Sequence, residues 1–102
     1  MNGGYHMKLV NIMYFNDKND VDVISVPDDI YDDIVQLGQD YCNFLGKGDH
    51  NFWSEHNGKK FPVLETGGFV WWLNKEFASL YGESFIVKQH VRYKKKRRTI
   101  DF

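Results

Sequence analysis

Residues 7–30, MKLVNIMYFNDKNDVDVISVPDDI, decide the fold that this chain can adopt. MKLVNIMYF is rich in β-branched and aromatic residues, and VDVISV at 21–26 alternates with the two-residue period of a strand. The polar residues NDKND at 16–20 separate them, so the pair predicts a β-hairpin with a five-residue loop. The first strand carries apolar residues on both faces, which is typical of a central strand.

A helix is predicted directly after this hairpin. Pro27 suits the first turn of a helix because its missing N–H is not needed there. Four aspartates follow and complement the positive end of the helix dipole. The predicted helix covers 28–45, and Gly46 can end it. Its apolar residues recur at helical spacing and predict one buried stripe: Ile30, Ile34, Leu37, Tyr41, Phe44 and Leu45.

Residues 46–60, GKGDHNFWSEHNGKK, are predicted to form a long polar loop. Loops of this length without structure of their own are uncommon in compact domains and are often functional. Phe52 and Trp53 either pin this loop to the core or contact a partner. FPVLE at 61–65 is either an extended link or a short edge strand, because Pro62 cannot donate to a strand ladder.

A second helix and a last strand complete the predicted elements. Thr66 is suited to be the N-cap of the helix, which would begin at 68 or 69 and close at Gly82. SFIVKQHVRY at 84–93 predicts a half-exposed strand. Its predicted apolar face consists of Phe85, Val87, Val91 and Tyr93, with Lys88, His90 and Arg92 largely on the other face.

The order β-β-α-(β)-α-β favours an α+β fold: a small, mainly antiparallel sheet of three to four strands with two helices packed on one face. A chain of 102 residues with 42% hydrophobic residues is long enough for one domain and one core. Residues 1–6 are expected to be a disordered extension and 94–102 a basic C-terminal tail. The chain lacks the pattern of a secretory signal or a membrane span, and with a single cysteine, Cys42, we expect a cytoplasmic protein.

Two adjacent tryptophans, Trp71 and Trp72, raise the question of whether both can be buried. Neighbours on a regular helix point about 100° apart. Relative to Phe69, Trp72 falls near the shoulder of the core face, whereas Trp71 falls about 150° from its centre. Trp71 is therefore either covered by the 46–60 loop or the basic tail, or exposed to a partner. The predicted core face of this helix consists of Phe69, Val70, Leu73, Phe77, Leu80 and Tyr81.

Charge divides between the two halves of the chain. Residues 1–50 contain nine Asp and three Lys, net −6, whereas residues 51–102 contain ten Lys or Arg and five acids, net +5. The first helix carries an acidic side without the bases that would give it i,i+4 support. This side either keeps the protein soluble or meets a basic partner surface. Its predicted contact residues are Asp29, Asp32, Asp33 and Asp40.

No pattern in the chain indicates catalysis, a metal or a cofactor, so we expect a protein that is not an enzyme. The four histidines show no metal-binding spacing. Cys42 is expected to be a core residue. One rival hypothesis is a small enzyme built on the 46–60 loop with His50, Trp53 and Glu55. Another is a nucleic-acid module that uses KKKRR at 94–98, although the net charge is −1.

The size, the single cysteine, the acidic first helix and ETGGFVWWLNKEF at 65–77 resemble the small immunity proteins of bacterial contact-dependent growth inhibition systems. The resemblance implies a non-enzymatic inhibitor that binds a cognate toxin domain, often a nuclease, at its active site or an adjacent surface. The partner is expected to present a basic surface, and no membrane or nucleic-acid partner is expected. The charge and indole arguments predict its interface residues: Asp29, Asp32, Asp33, Asp40, Trp53, Trp71 and Trp72.

Overall fold

The computed structural model describes residues 6–47 and 52–102, and it confirms the α+β class. Residues 1–5 of the expected N-terminal extension lie outside this range. The elements are β1 (Met7–Met13), β2 (Val21–Pro27), α1 (Asp28–Tyr31), α2 (Ile34–Gly46), β3 (Trp53–His56), β4 (Lys59–Pro62), α3 (Thr66–Tyr81), β5 (Phe85–Val91) and β6 (Arg98–Asp101).

The main sheet has four strands in the order β5-β2-β1-β6. β1 pairs antiparallel with β2 and parallel with β6, so it is a central strand, as its apolar faces predict. One face of the sheet packs against α2 and α3 and supplies Val10 and Ile12 from β1 and Ile24 and Val26 from β2 to the core. Tyr41 of α2 is fully buried at the centre of this layer.

The predicted first helix is interrupted at residues 32–33. In a continuous helix the carbonyls of Tyr31 and Asp32 would accept bonds from amides four residues later. Here both carbonyls face Arg98, whose Nη1 donates to them at 2.8 and 3.4 Å. Asp33 leaves the helical region with φ −107° and ψ 12°. The result is one short turn, α1, followed by the longer α2.

The predicted 46–60 loop contains a second small sheet, which corrects that prediction over its described part. β3 and β4 form an antiparallel hairpin in which His56 pairs with Lys59. Asn57 and Gly58 connect them with φ values of 51° and 77°, the geometry that an Asn-Gly turn of type I′ requires. Of FPVLE, only the first two residues belong to a strand, since β4 ends at Pro62, and the remaining three connect it to α3.

The predicted basic tail is also corrected, because its last residues form β6. Ile100 is 6% exposed and packs against α2. A Cβ on Gly38 would lie 3.2 Å from Ile100 Cγ2, so the glycine permits the close approach of the helix to the strand. The preceding basic residues lead from β5 to β6 on the side of the sheet away from the helices, where Asn11 Nδ2 donates to the Lys94 carbonyl at 2.9 Å.

The core face of α3 differs from the predicted one. Leu80, placed in the core by the helical spacing, is 70% exposed, whereas Trp72 is only 7% exposed. The buried face is rotated towards Trp72 because its ring packs against Tyr41 and Phe69, with centroids 5.7 and 6.3 Å away.

The two ends of α3 also differ in how well the sequence predicts them. The helix begins at Thr66, whose hydroxyl donates to Asp22 instead of capping the helix. Gly82 closes the helix as expected: its φ is 99° and its amide donates to the Ala78 carbonyl at 2.9 Å.

The apolar face of the last strand is corrected as well. Ile86 pairs with Ile24 and packs against the core, so its neighbours Phe85 and Val87 point to the opposite face and are 52% and 42% exposed. The register of β5 against β2 then shifts between Val21 and Ile24. This irregularity changes the direction of the strand at its C-terminal end.

Candidate functional site

Trp71 is partly covered by Phe52 of the 46–60 segment, as one alternative predicts, and the rest of its side chain is exposed. Its side chain is 45% exposed. The Phe52 ring meets it edge-on with centroids 5.2 Å apart, and the Phe44 ring lies 6.5 Å away. Lys75 Nζ sits 5.2 Å from the indole centroid, at a distance that allows a cation–π contact. One part of the indole is fixed by its own chain, and the other part faces outwards.

The other two predicted tryptophans have different environments. Trp72 is buried among Tyr41, Phe69 and Phe77, so its main role is in the core. Trp53 is 37% exposed on β3. Its neighbour Phe52 packs against the core, as the pinning alternative predicts for that residue.

A groove lies between α2 and α3 and has a volume of about 360 Å³. Asp40 contributes a carboxylate from α2 and Glu76 one from α3, with the ring edge of Phe44 between the helices. Asp40 Oδ1 accepts a hydrogen bond of 3.0 Å from Gln36 Nε2, which holds the carboxylate along the helix. We call this the α2–α3 groove; it is lined by Asp40, Asn43, Phe44, Lys47, Trp72 and Glu76.

The three remaining aspartates, Asp29, Asp32 and Asp33, lie at the opposite end of α2 and are exposed. None of them forms an ion pair within residues 6–47 and 52–102. Arg98 is nearby, but it binds backbone carbonyls and stacks 4.4 Å from the centroid of Tyr31. Of the three, Asp33 directly precedes α2 and lies about 16 Å from Phe44 at a rise of about 1.5 Å per residue.

The predicted residues thus fall into three places. Asp40 and Trp72 line the α2–α3 groove, and Trp71 approaches it through Phe44, whose ring centroid lies 6.5 Å from that of the indole. The three aspartates continue along α2 to its N-terminal end, and Trp53 lies on the β3–β4 hairpin.

A second polar site, which the sequence analysis did not identify, joins five residues from four parts of the chain. Asp22 is 8% exposed and accepts hydrogen bonds from the Thr66 hydroxyl at 2.5 Å and the His90 amide at 3.2 Å. The Tyr14 hydroxyl lies 2.8 Å from Thr66 Oγ1. His90 Nδ1 lies 2.7 Å from Asp20 Oδ1. We call these five residues the Asp22 cluster.

The pKa values of two groups in this cluster, Tyr14 and His90, are raised. Burial raises the pKa of Tyr14 to about 12, although its hydrogen bond with Thr66 acts in the opposite direction. The hydrogen bond and the charge of Asp20 raise the pKa of His90. A cleft of about 300 Å³ opens beside the cluster, and Glu65 and Gln89 also line it.

Sequence reasoning missed the Asp22 cluster because its residues are far apart in the chain. Asp20 and His90 are separated by 70 positions, and no local motif links them. The alternation in VDVISV places Asp22 on the face of Ile24 and Val26, and that position was a usable signal because a carboxylate facing a core needs partners.

Two residues of the rival enzyme hypothesis, Trp53 and Glu55, lie within the described residues, and both are on β3. His50 lies outside the described residues, and Glu55 is exposed on the hairpin. Cys42 is half-buried and lines a different cleft between α2 and β6, where burial raises the pKa of its thiol.

Comparison with protein-family models, with curated proteins and with solved structures found no match. None of the described helices has the length and apolar character that a bilayer crossing needs.

Proposed function

We propose that this protein is a non-enzymatic inhibitor that acts in the cytoplasm by binding a cognate toxin domain, as an immunity protein does. The interface we propose runs along α2, from the three exposed aspartates to the α2–α3 groove and Trp71. The observation that carries the proposal is that carboxylates without ion pairs in the described structure lie at one end of α2, while Phe44 near its other end contacts a half-exposed indole. Exposed carboxylates attract a basic surface, and a fixed aromatic ring anchors it.

The arrangement of charge supports a basic partner. Residues 28–46 contain no Lys or Arg, whereas 92–98 contain six. Arg98 lies beside Tyr31 and Asp32, whereas the bases before it follow β5 and approach the side of the sheet away from the helices, where Asn11 binds the Lys94 carbonyl. Within the described residues Asp29, Asp32 and Asp33 form no ion pair, so their negative charge can orient an approaching basic surface before contact.

The dimensions of this side also suit a protein partner. A standard interface buries about 800 Å² on each partner. The distance of about 16 Å from Asp33 to Phe44 fits within such a patch. Phe44 and Phe52 hold Trp71 in place, so less side-chain entropy is lost when a partner covers it.

The first experiment is co-expression with the product of the adjacent upstream gene, followed by co-purification. We expect a stoichiometric complex and loss of the toxicity of that product. The proposal fails if the protein stays monomeric and captures nothing, or if toxicity is unchanged.

Trp71→Ala then tests whether the indole of Trp71 contributes to the affinity for the partner. We expect at least a tenfold loss of affinity, mainly through faster dissociation, as for a central aromatic contact. Leu80→Ala is the matched control, because Leu80 is an exposed apolar residue on the same helix. Unfolding curves of both variants separate lost binding from lost stability.

The triple substitution Asp29→Asn, Asp33→Asn and Asp40→Asn tests whether the negative charge of these residues speeds association with the partner. We expect slower association and a weaker dependence of the association rate on salt. Glu83→Gln is the control, because Glu83 is exposed beyond the end of α3. Equal association rates for the triple variant and the control would place the interface elsewhere.

A further inference from the structure

We propose that Asp20, Asp22 and His90 form a binding site for a divalent first-row transition cation, for which zinc is the best-suited ion. One ring nitrogen of His90 and one oxygen from each carboxylate lie within 4.8 Å of one another. Imidazole nitrogen and carboxylate oxygen are donors that zinc binds in proteins, at about 2.0–2.2 Å. This site lies outside the α2–α3 groove and does not depend on the proposed interface.

The buried carboxylate of Asp22 gives the strongest reason for a cation. Its side chain lies in the core-facing side of β2, yet none of the described Lys or Arg residues forms an ion pair with it. Two hydrogen bonds use only half of the roughly four acceptor positions of a carboxylate. Because buried charges are usually paired or coordinate metals, a cation at the remaining lone pairs would supply the missing counter-charge.

The positions of the donors fit a shared ion. Two donors at about 2.1 Å from one ion are separated by about 3.0–3.4 Å in octahedral or tetrahedral geometry. His90 Nδ1 and Asp20 Oδ1 are already 2.7 Å apart, and an ion would replace the proton that they share. Their side chains are 77% and 55% exposed, so they can rotate to bring all three donors to these distances.

Hydrogen bonds fix the orientation of the Asp22 carboxylate, whereas the exposed side chains of Asp20 and His90 can rotate. Thr66 fixes one oxygen of Asp22, and Tyr14 fixes Thr66 in turn. Outer-shell bonds of this kind orient the ligands of metal sites. The register shift of β5 brings His90 beside Asp22, and the neighbouring cleft of about 300 Å³ has room for a water molecule as a further ligand.

Calorimetric titration of the full chain with zinc chloride near neutral pH tests the proposal. We expect one zinc ion per chain and a rise in melting temperature with zinc concentration. His90→Asn and Asp20→Asn should each weaken zinc binding by at least about tenfold, since each removes one of three ligands. Asn suits position 90 because His90 has φ 57°, a conformation that Asn tolerates.

His56→Asn is the matched control, because His56 is also exposed but lies on the hairpin. This variant should bind zinc like the unchanged protein. The proposal is wrong if zinc produces neither heat nor stabilisation, if His90→Asn binds zinc normally, or if the loss occurs in His56→Asn instead.

Discussion

The contact between Tyr41 and Gly68 yields a prediction that tests how α2 packs on α3. The Tyr41 hydroxyl is buried, with no hydrogen-bond partner among the described residues. A Cβ at Gly68 would overlap its oxygen, whereas the next nearest atoms, from the Phe52 ring, would lie at an ordinary 3.5 Å. Gly67, one position earlier, has open space around it. The unchanged chain and three variants can therefore measure one contact.

The expected free energies follow from these distances. Gly68→Ala gains about 0.5–1 kcal/mol from helix propensity but loses about 1–3 kcal/mol to overpacking. We expect a net loss of about 1–2 kcal/mol in the stability of the folded chain. Tyr41→Phe removes a buried hydroxyl without a partner, so it should stabilise by about 1 kcal/mol. In that background Gly68→Ala should become neutral or stabilising, a coupling of about 2 kcal/mol.

Urea unfolding followed by far-ultraviolet circular dichroism measures all four stabilities. Gly67→Ala is the control and should have the same effect with Tyr41 or Phe at position 41. Two results would refute the reasoning. One is that Gly68→Ala is as stable as Gly67→Ala in the original background. The other is that the coupling is below about 0.5 kcal/mol, the usual limit for independent sites.

Two more predictions concern the C-terminal strand and the buried phenols. Ile100→Ala should destabilise the chain by about 2–4 kcal/mol in urea unfolding because Ile100 packs in the core, whereas Lys96→Ala should change stability by less than about 0.5 kcal/mol. If both variants unfold alike, β6 is not part of the core. Burial raises the pKa of Tyr14 and of Tyr41 to about 12, from the ordinary value of 10.0. These phenols stay neutral in the folded chain while they ionise in the unfolded one, so stability is retained below pH 10.0 and falls as pH rises towards about 12. Ultraviolet titration should show two late-ionising tyrosines; ionisation of all six near the ordinary value would contradict this.

Short sequence patterns predicted those strands and turns that depend only on residues close together in the chain. The period-two alternation of VDVISV and the stop at Pro27 predicted β2 and the helical turn that follows. The Asn57-Gly58 dipeptide is an equally local signal, and it forms the turn between β3 and β4. These elements depend on backbone preferences and short-range patterns, which a single sequence carries.

Contacts between distant residues decided the features that were predicted wrongly. Arg98 binds the carbonyls at the break of the first helix, 66 positions away from Asp32. Residues 98–101 form a strand only because β1 offers a free edge, and KKKRR alone indicates a solvated segment. The proposed zinc donors meet for the same kind of reason, through pairing of β2 with β5.

The sequence by itself determined the fold class, the charge difference between the two halves and the separation of the two indoles around α3, because each depends on composition or on a helical period. The tertiary structure alone decided how much of the Trp71 indole is covered and which carboxylate is buried. Burial depends on the neighbours that packing supplies: the rings of Phe44 and Phe52 for Trp71, and the hydroxyl of Thr66 for Asp22.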